Sequence, residues 1–423
     1  MNADYQAQVG DLLPPWEEGV LDLHHINTGR GDCAFYILPD GTTMLQDAGE
    51  LDGTTERTRS ERNAKARPND TKLAYEWIVA YMHQMWPGGR PFVLDHVLLT
   101  HFHDDHVGAV SPASKSSSNG EYKLAGLTGV GDLVPFQRLV DRGYPDYDYP
   151  VAFDSDLAKE VYKHRQAEYD ELCFGQDNYR AFIAWHQKHN DLQVERFRVG
   201  ATNQFGLVNN PSGYNDFEIR NLCCNGEVWT GRGEETEQHI PKVADLDFYA
   251  FPDENVCSCA IRLSYGNFRY FSGADIPGIV DLDTPSWRDL ETPVAQSVGA
   301  VDVQVLNHHG YRDTQNEFFT RTLSPRVFIQ QNWSADQPGQ DVFRRMTSQY
   351  LYEGPRDIFA TEILDAIRVV LGDSLDRAYQ STRGHIVVRV ASGGNTYQVI
   401  TLDDTKEQPV VTGVFGPYET QGK

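Results

Sequence analysis

The chain opens with short apolar runs separated by turn residues. Leu21–Ile26 (LDLHHI), Cys33–Leu38 and Thr43–Gln46 read as three strands. Gly29-Arg30-Gly31-Asp32 predicts a turn after the first strand, and Pro39-Asp40-Gly41 a hairpin turn after the second. His24 and His25 alternate on the first strand, so one of them is expected to face the core. Residues 51–69 are polar and predict a loop. Capped by Asp70 or Thr71, the spacing of Leu73, Trp77, Ile78, Tyr81 and Met85 predicts a helix ending near Trp86, where Pro87-Gly88-Gly89 stops it. Val93–Leu99 is an apolar run suited to a buried strand.

Beyond it the pattern changes. Ala113–Gly120 (ASKSSSNG) predicts a flexible loop, residues 155–195 are helix-like and highly charged, and Asn209–Gly213 predicts a turn. Strand signals return at Cys257–Ser264 and Phe268–Ser272, a hairpin around Tyr265-Gly266-Asn267. They continue at Val301–Leu306 and Arg326–Gln331, and a last hairpin pairs Gly384–Val390 with Thr396–Thr401. Strand-rich outer thirds around a different middle suggest one domain with a large insertion.

Composition narrows the classes. In 423 residues, 40% hydrophobic and 11% aromatic, a sizeable core is available. The net charge of −24 works against sequence-blind binding of long duplex nucleic acid, where Lys and Arg neutralise phosphates. It leaves room for a small anionic substrate held by metal. No apolar run reaches transmembrane length. The first twenty residues carry no secretory-signal pattern, and six cysteines without a CxxC spacing suit a reducing cytosol, so a cytoplasmic protein is expected. A zinc ribbon from Cys223, Cys224, Cys257 and Cys259 is disfavoured, because adjacent residues on a strand face opposite ways. Gly29-x-Gly31-x-x-Ala34 mimics a dinucleotide fingerprint, but a strand hairpin follows where the pyrophosphate needs a helix.

The chemistry concentrates in Thr100-His101-Phe102-His103-Asp104-Asp105-His106-Val107-Gly108. H-x-H-x-D-H puts four ligand-type side chains within six residues, directly after a strand whose end lets the chain turn. Imidazole with carboxylate suits zinc, and also iron or manganese. One histidine there would fit a polar loop; three with an aspartate at this spacing favour metal.

This motif resembles the hallmark of metallo-β-lactamase-fold hydrolases. That family also has a late aspartate bridging two metals and a late histidine at a strand end. Phe268–Asp275 (FRYFSGAD) offers Asp275, and Val301–Gly310 (VDVQVLNHHG) offers His308 and His309. The closer similarity is to the ComEC-type branch, the soluble domain of a DNA-uptake protein and its free-standing relatives. Its G-Q-G-D, D-x-G, N-x-x-S, G-D and H-H-G have counterparts in Gly29–Asp32, Asp47–Gly49, Asn255–Ser258, Gly273–Asp275 and His308–Gly310. Two features depart from the pattern: His103 stands where the branch usually has aspartate, and the superfamily's third-motif histidine is not obvious among His164, His186, His189 and His239.

The resemblance implies an α/β protein, an αββα metallo-β-lactamase sandwich over residues 15–423, with a mixed insertion at 111–250 covering the active site. It implies two divalent cations, zinc first and manganese or iron next. His101 and His103 would hold one, Asp105 and His106 the other, with Asp275 bridging and His308 or His309 completing a site. Asp32 and Asp47 would orient ligand histidines from behind. The implied activity is hydrolysis by a metal-bridging hydroxide, with Asp105 and Asp275 central. The substrate would be a phosphodiester, in nucleic acid or a small nucleotide. The alternatives are a lactam, lactone or other ester on the same fold, or a non-catalytic metal-binding scaffold.

Overall fold

The computed structural model describes residues 7–246, 250–280 and 284–422. In chain order the strands are β1 (Leu21–His25), β2 (Ala34–Ile37), β3 (Thr43–Gln46), β4 (Leu94–Leu98), β5 (Phe136–Asp141) and β6 (Gln193–Arg196). Next come β7 (Phe217–Cys224), β8 (Glu227–Trp229), β9 (Thr236–Gln238), β10 (Ala260–Tyr265), β11 (Phe268–Ser272) and β12 (Val303–Val305). The last six are β13 (Val327–Gln330), β14 (Asp357–Ala360), β15 (Tyr379–Ser381), β16 (His385–Val390), β17 (Thr396–Leu402) and β18 (Val411–Glu419).

They form two nine-stranded mixed sheets, ordered β18-β17-β16-β1-β2-β3-β4-β5-β6 and β15-β14-β13-β12-β11-β10-β7-β8-β9. In the first, pairing is antiparallel as far as β3 and parallel from β3 to β6. In the second it is parallel from β15 to β11 and antiparallel from β11 to β9. A parallel strand needs a crossover, and the helices of those crossovers cover the outer faces.

Three apolar clusters fill the resulting layers. One lies between the sheets and includes Leu23, Tyr36, Leu263, Tyr270 and Val388. A second packs the helices Ala74–Met85, Gly126–Leu133 and Gln166–His189 on the first sheet. A third packs Gln340–Thr347 and Asp365–Leu371 on the second. This is the αββα sandwich, the architecture of the metallo-β-lactamase fold. Polar groups fix the register across the seam: Tyr36 Oη donates to Gln46 Oε1 (3.0 Å) and lies 3.1 Å from Tyr270 Oη, and Gln46 Nε2 donates to Ser272 Oγ (2.9 Å). That contact sets the end of β3 beside the end of β11, and the residues that follow these strands build the site.

Three expectations change. Both β1 histidines are buried, because the sheet is covered on both faces: His24 meets Tyr81 Oη (3.0 Å) of the outer helix, and His25 meets Gln331 (2.7 Å). The first long helix is capped at Leu73, not Asp70 or Thr71; Glu76 accepts from the Leu73 N–H, while Asn69 holds the preceding turn through Thr71. The stretch 111–250 is not a single insertion, since β5 and β6 extend the first sheet and β7, β8 and β9 the second. Its strands carry charge (QVER in β6, FEIRNLCC in β7), which hides their pattern. What leaves the sheets is mainly the helical excursion at 142–192.

Burial depresses three histidines of the first sheet: His24 and His25 to about 4, and His385 to about 3. At these three positions the unfolded chain binds more protons than the folded one as pH falls through 6.5, so they make stability drop. We expect urea midpoints to fall from pH 7 to pH 5, with a shallower fall in His385→Asn than in the parent.

Candidate metal centre

Three turns bring the motif residues together. The first follows β4, where Thr100 to His103 lead into a one-turn helix, Asp104–Val107. Its backbone is gripped from both sides: Asp32 N–H donates to Asp105 O (2.7 Å), Ala48 N–H to His106 O (2.9 Å) and Glu50 N–H to Asp104 O (3.0 Å). This approach is the reason for two glycines. A Cβ on Gly49 would sit 1.9 Å from Asp105 O, and one on Gly31 2.4 Å from the same atom.

The second turn follows β11. Ala274 is left-handed (φ 48), and Ser258 Oγ accepts from the Asp275 N–H at 3.3 Å. The third follows β12, where His308 and His309 are both left-handed (φ 46 and 56). Such backbone costs about 1–3 kcal/mol per residue and gathers at functional sites.

The side chains converge on Asp275. His106 Nε2 lies 3.3 Å from its Oδ1, and His309, His101 and His308 Nε2 lie 3.5, 3.7 and 3.8 Å from its Oδ2. His309 Nε2 is also 3.1 Å from Asp105 Oδ2, and His101 Nε2 is 3.2 Å from His103 Nδ1. Two ligand groups result: Asp105, His106, Asp275 and His309, all buried, and His101, His103 and Asp275. Asp275 belongs to both. His308 stands beside them, half-buried, with Asn255 Nδ2 3.2 Å from its Nε2.

Carboxylates hold the outward nitrogens of His106 and His308; His309 Nδ1 bonds the Gln331 carbonyl (3.2 Å), with Asp32 alongside. Asp47 Oδ2 is 2.9 Å from His106 Nδ1, Asp32 Oδ1 3.0 Å from His309 Nδ1, and Asp313 Oδ1 2.8 Å from His308 Nδ1. Asp47 is itself fixed by the Thr100 N–H and hydroxyl (2.8 and 2.7 Å). With Nδ1 so occupied, the Nε2 lone pairs aim inward. His106 Nε2, His309 Nε2 and Asp275 Oδ1 are buried without hydrogen bonds, a high-cost arrangement unless a cation takes them.

Electrostatics agree with the geometry. Burial opposes ionisation of Asp275, but the imidazoles of His106, His309 and His308 outweigh it and hold the carboxyl well below its usual range. Burial opposes charge on His106 and His309 too, yet the surrounding carboxylates raise both well above 6.5. Burial, with the nearby His106, keeps His101 well below 6.5 and so neutral. This buried set of imidazoles and carboxylates suits a hard or borderline divalent cation.

A buried ion pair braces the centre from behind. Arg142, after β5, makes two 2.6 Å bonds to Glu254, and Glu254 accepts the N–H of Phe102, the residue between His101 and His103 (2.8 Å). Residue-by-residue reading of the sequence missed both; an acid far from any His cluster carries no ligand-like signal. Of the third-motif histidines considered, His186 is buried against Tyr122 Oη (2.8 Å), and among the described residues none of the four joins a ligand group. The cysteines form no such group either, although Cys224 and Cys259 Sγ lie 3.6 Å apart.

No family model and no curated protein matches the chain. Solved structures of similar fold include a variant of the CmlA beta-hydroxylase, at 13% identity and TM-score 0.38, covering 89% of this chain and 54% of that one. The metallo-beta-lactamase fold protein YhfI from Bacillus subtilis follows at 12% and 0.35, covering 80% and 96%. The hydrolase AbOPH of the beta lactamase superfamily stands at 14% and 0.31, covering 64% and 76%. This chain thus spans about half of the CmlA chain. At such scores the likenesses carry no argument, and the fold assignment stands on sheet order and layering. No helix among the described residues is long and apolar enough to cross a membrane.

Removing a carboxylate behind a ligand histidine typically costs about 10–100-fold in metal affinity. Asp47→Ala is expected to weaken zinc binding by that factor in competition with a chelating dye, while Asp47→Glu recovers part of it. Equal affinity in all three proteins would show that Asp47 does not orient His106.

Proposed function

We propose that the protein is a metal-dependent hydrolase with two adjacent cation sites, acting on a phosphodiester bond of a small molecule. The observation that carries this reading is the sharing of Asp275 between two groups of ligand atoms. A structural zinc site needs four ligands and no open side; here seven histidines and aspartates gather at the floor of a cleft. His101, His103 and Asp275 would hold one cation, and Asp105, His106, His309 and Asp275 the other, with His308 and Asn255 beside the first. Bound there, divalent cations would supply an acidified water and offset negative charge on substrate and transition state.

The chain's own residues do the rest. Asp47, Asp313 and the Gln331 carbonyl keep protons on the outer nitrogens of His106, His308 and His309, with the Asp32 carboxylate beside His309. The Arg142–Glu254 pair holds the peptide of Phe102 so that His101 and His103 stay together. Tyr311 and His308 border the cleft beside the ligand cluster, and there they would meet the scissile group. The motif similarity to the ComEC-type branch supports phosphorus over carbon as the atom attacked, and the metals answer the objection that the chain is acidic overall.

Asp275→Ala should lower bound metal from two equivalents to at most one by elemental analysis. It should also cut turnover of bis-p-nitrophenyl phosphate by at least about two orders of magnitude, with unchanged circular dichroism. Turnover of esters or lactones alone would move the bond to a carbonyl. A metal-loaded protein inert to all three would sink the reading.

A further inference from the structure

The cleft above the metal centre is larger than a hydrolysable group requires, and its chemistry is one-sided. Its volume is about 1100 Å³, above the usual range for small-molecule sites. His103, Asp105, Asp275, His308 and His309 form part of its lining, so it opens on the ligand atoms. From there it runs under the helical excursion, which contributes Tyr149, Phe153, Tyr162 and Tyr179, while the loops after β12 and β13 contribute Tyr311 and Trp333. Phe153 packs on Tyr162 at 6.5 Å between ring centroids, and Tyr169, outside the lining, packs on Tyr162 at 5.6 Å, so the two lining rings are held in place by a third.

Charge along this lining runs against a polyanion. Outside the metal ligands it presents six carboxylates and three guanidiniums, Arg57, Arg142 and Arg165, and no lysine. Arg142 is committed to Glu254, and Arg165 lies over the Tyr162 ring, 5.1 Å from its centroid. A nucleic-acid strand needs a cation for most phosphates along its track. Stacking rings without such a track fit a body with π-faces or apolar bulk and little charge.

We propose that the substrate has a single neutral or singly anionic hydrolysable group, placed at the metals, joined to an aromatic or bulky apolar body that fills the cleft under residues 149–179. Oligonucleotides are excluded. This rests on the hydrolase reading for the position of the reacting group, but the selectivity of the cleft is measurable without turnover.

The test compares, by calorimetry on the zinc-loaded protein, two ligands with the same anionic head and no cleavable ester: diphenylphosphinate and dimethylphosphinate. Octathymidylate is the third ligand. Diphenylphosphinate should bind at least about tenfold tighter than dimethylphosphinate, and octathymidylate weakest. Phe153→Ala and Tyr162→Ala, each checked by circular dichroism, should shrink the diphenyl-to-dimethyl ratio. Equal binding of the two phosphinates, or tighter binding of octathymidylate, overturns the proposal whether or not the variants fold. Loss of catalysis with the ratio intact would instead remove the hydrolase reading and leave the cleft assignment standing.

Discussion

A single carboxylate, buried to 1% exposure and ringed by four imidazoles, is the constraint on which the centre depends. An ion in that position is tolerable only if its neighbours compensate it, and the neighbours of Asp275 come from turns more than 160 residues apart in sequence. Each turn is bent to reach it. Ala274, His308 and His309 adopt left-handed backbone that unbranched, unconstrained segments avoid, and Asp47, behind His106, does the same (φ 58). The strain is held by the strand that leads into each of these turns, β3, β11 and β12, seated in the middle of the sandwich.

The motifs that looked scattered in sequence turn out to be one packed object. Gly29–Asp32 and Asp47–Gly49 do not touch the Nε2 cluster; they clasp the backbone of the H-x-H-x-D-H turn and present Asp32 and Asp47 to the outer faces of two rings. Ser258 anchors Asp275, and Asn255 meets His308. Side chains that bind backbone or the back of another side chain have no chemical signature of their own, so their purpose is readable only from the fold.

Local strand and turn chemistry was legible wherever alternation and breakers were clean, as in β1 to β4, β10 to β13, β16 and β17. The centre was legible because ligand chemistry forces rare residue types into fixed spacing. The middle was not. β6 is an edge strand with exposed charge, and β7 mixes Arg and Asn with cysteine on a strand buried by tertiary packing, so hydropathy alone could not mark either one. The aromatic residues there take up roles no spacing shows: Tyr147 and Tyr179 anchor their hydroxyls on buried Asp141 (2.8 and 2.9 Å) while bordering the cleft, and Tyr149 and Phe153 line it beside them. His24 and His25 illustrate the same limit, since a period of two cannot tell a sheet covered once from one covered twice.

The division of the ligands between the two sheets has a temporal consequence. His101 to His106 leave the ribosome long before Asp275, His308 and His309, and none of the first set can be completed until β11 and β12 have docked across the seam. Selection among competing cations would therefore fall to the finished sandwich, whose geometry can discriminate, and not to the emerging peptide, whose loose histidines would take whichever metal binds imidazole most strongly. Once seated, the ion would join the halves of the molecule, so its loss would loosen the seam itself, and resistance to unfolding would follow the free-metal concentration.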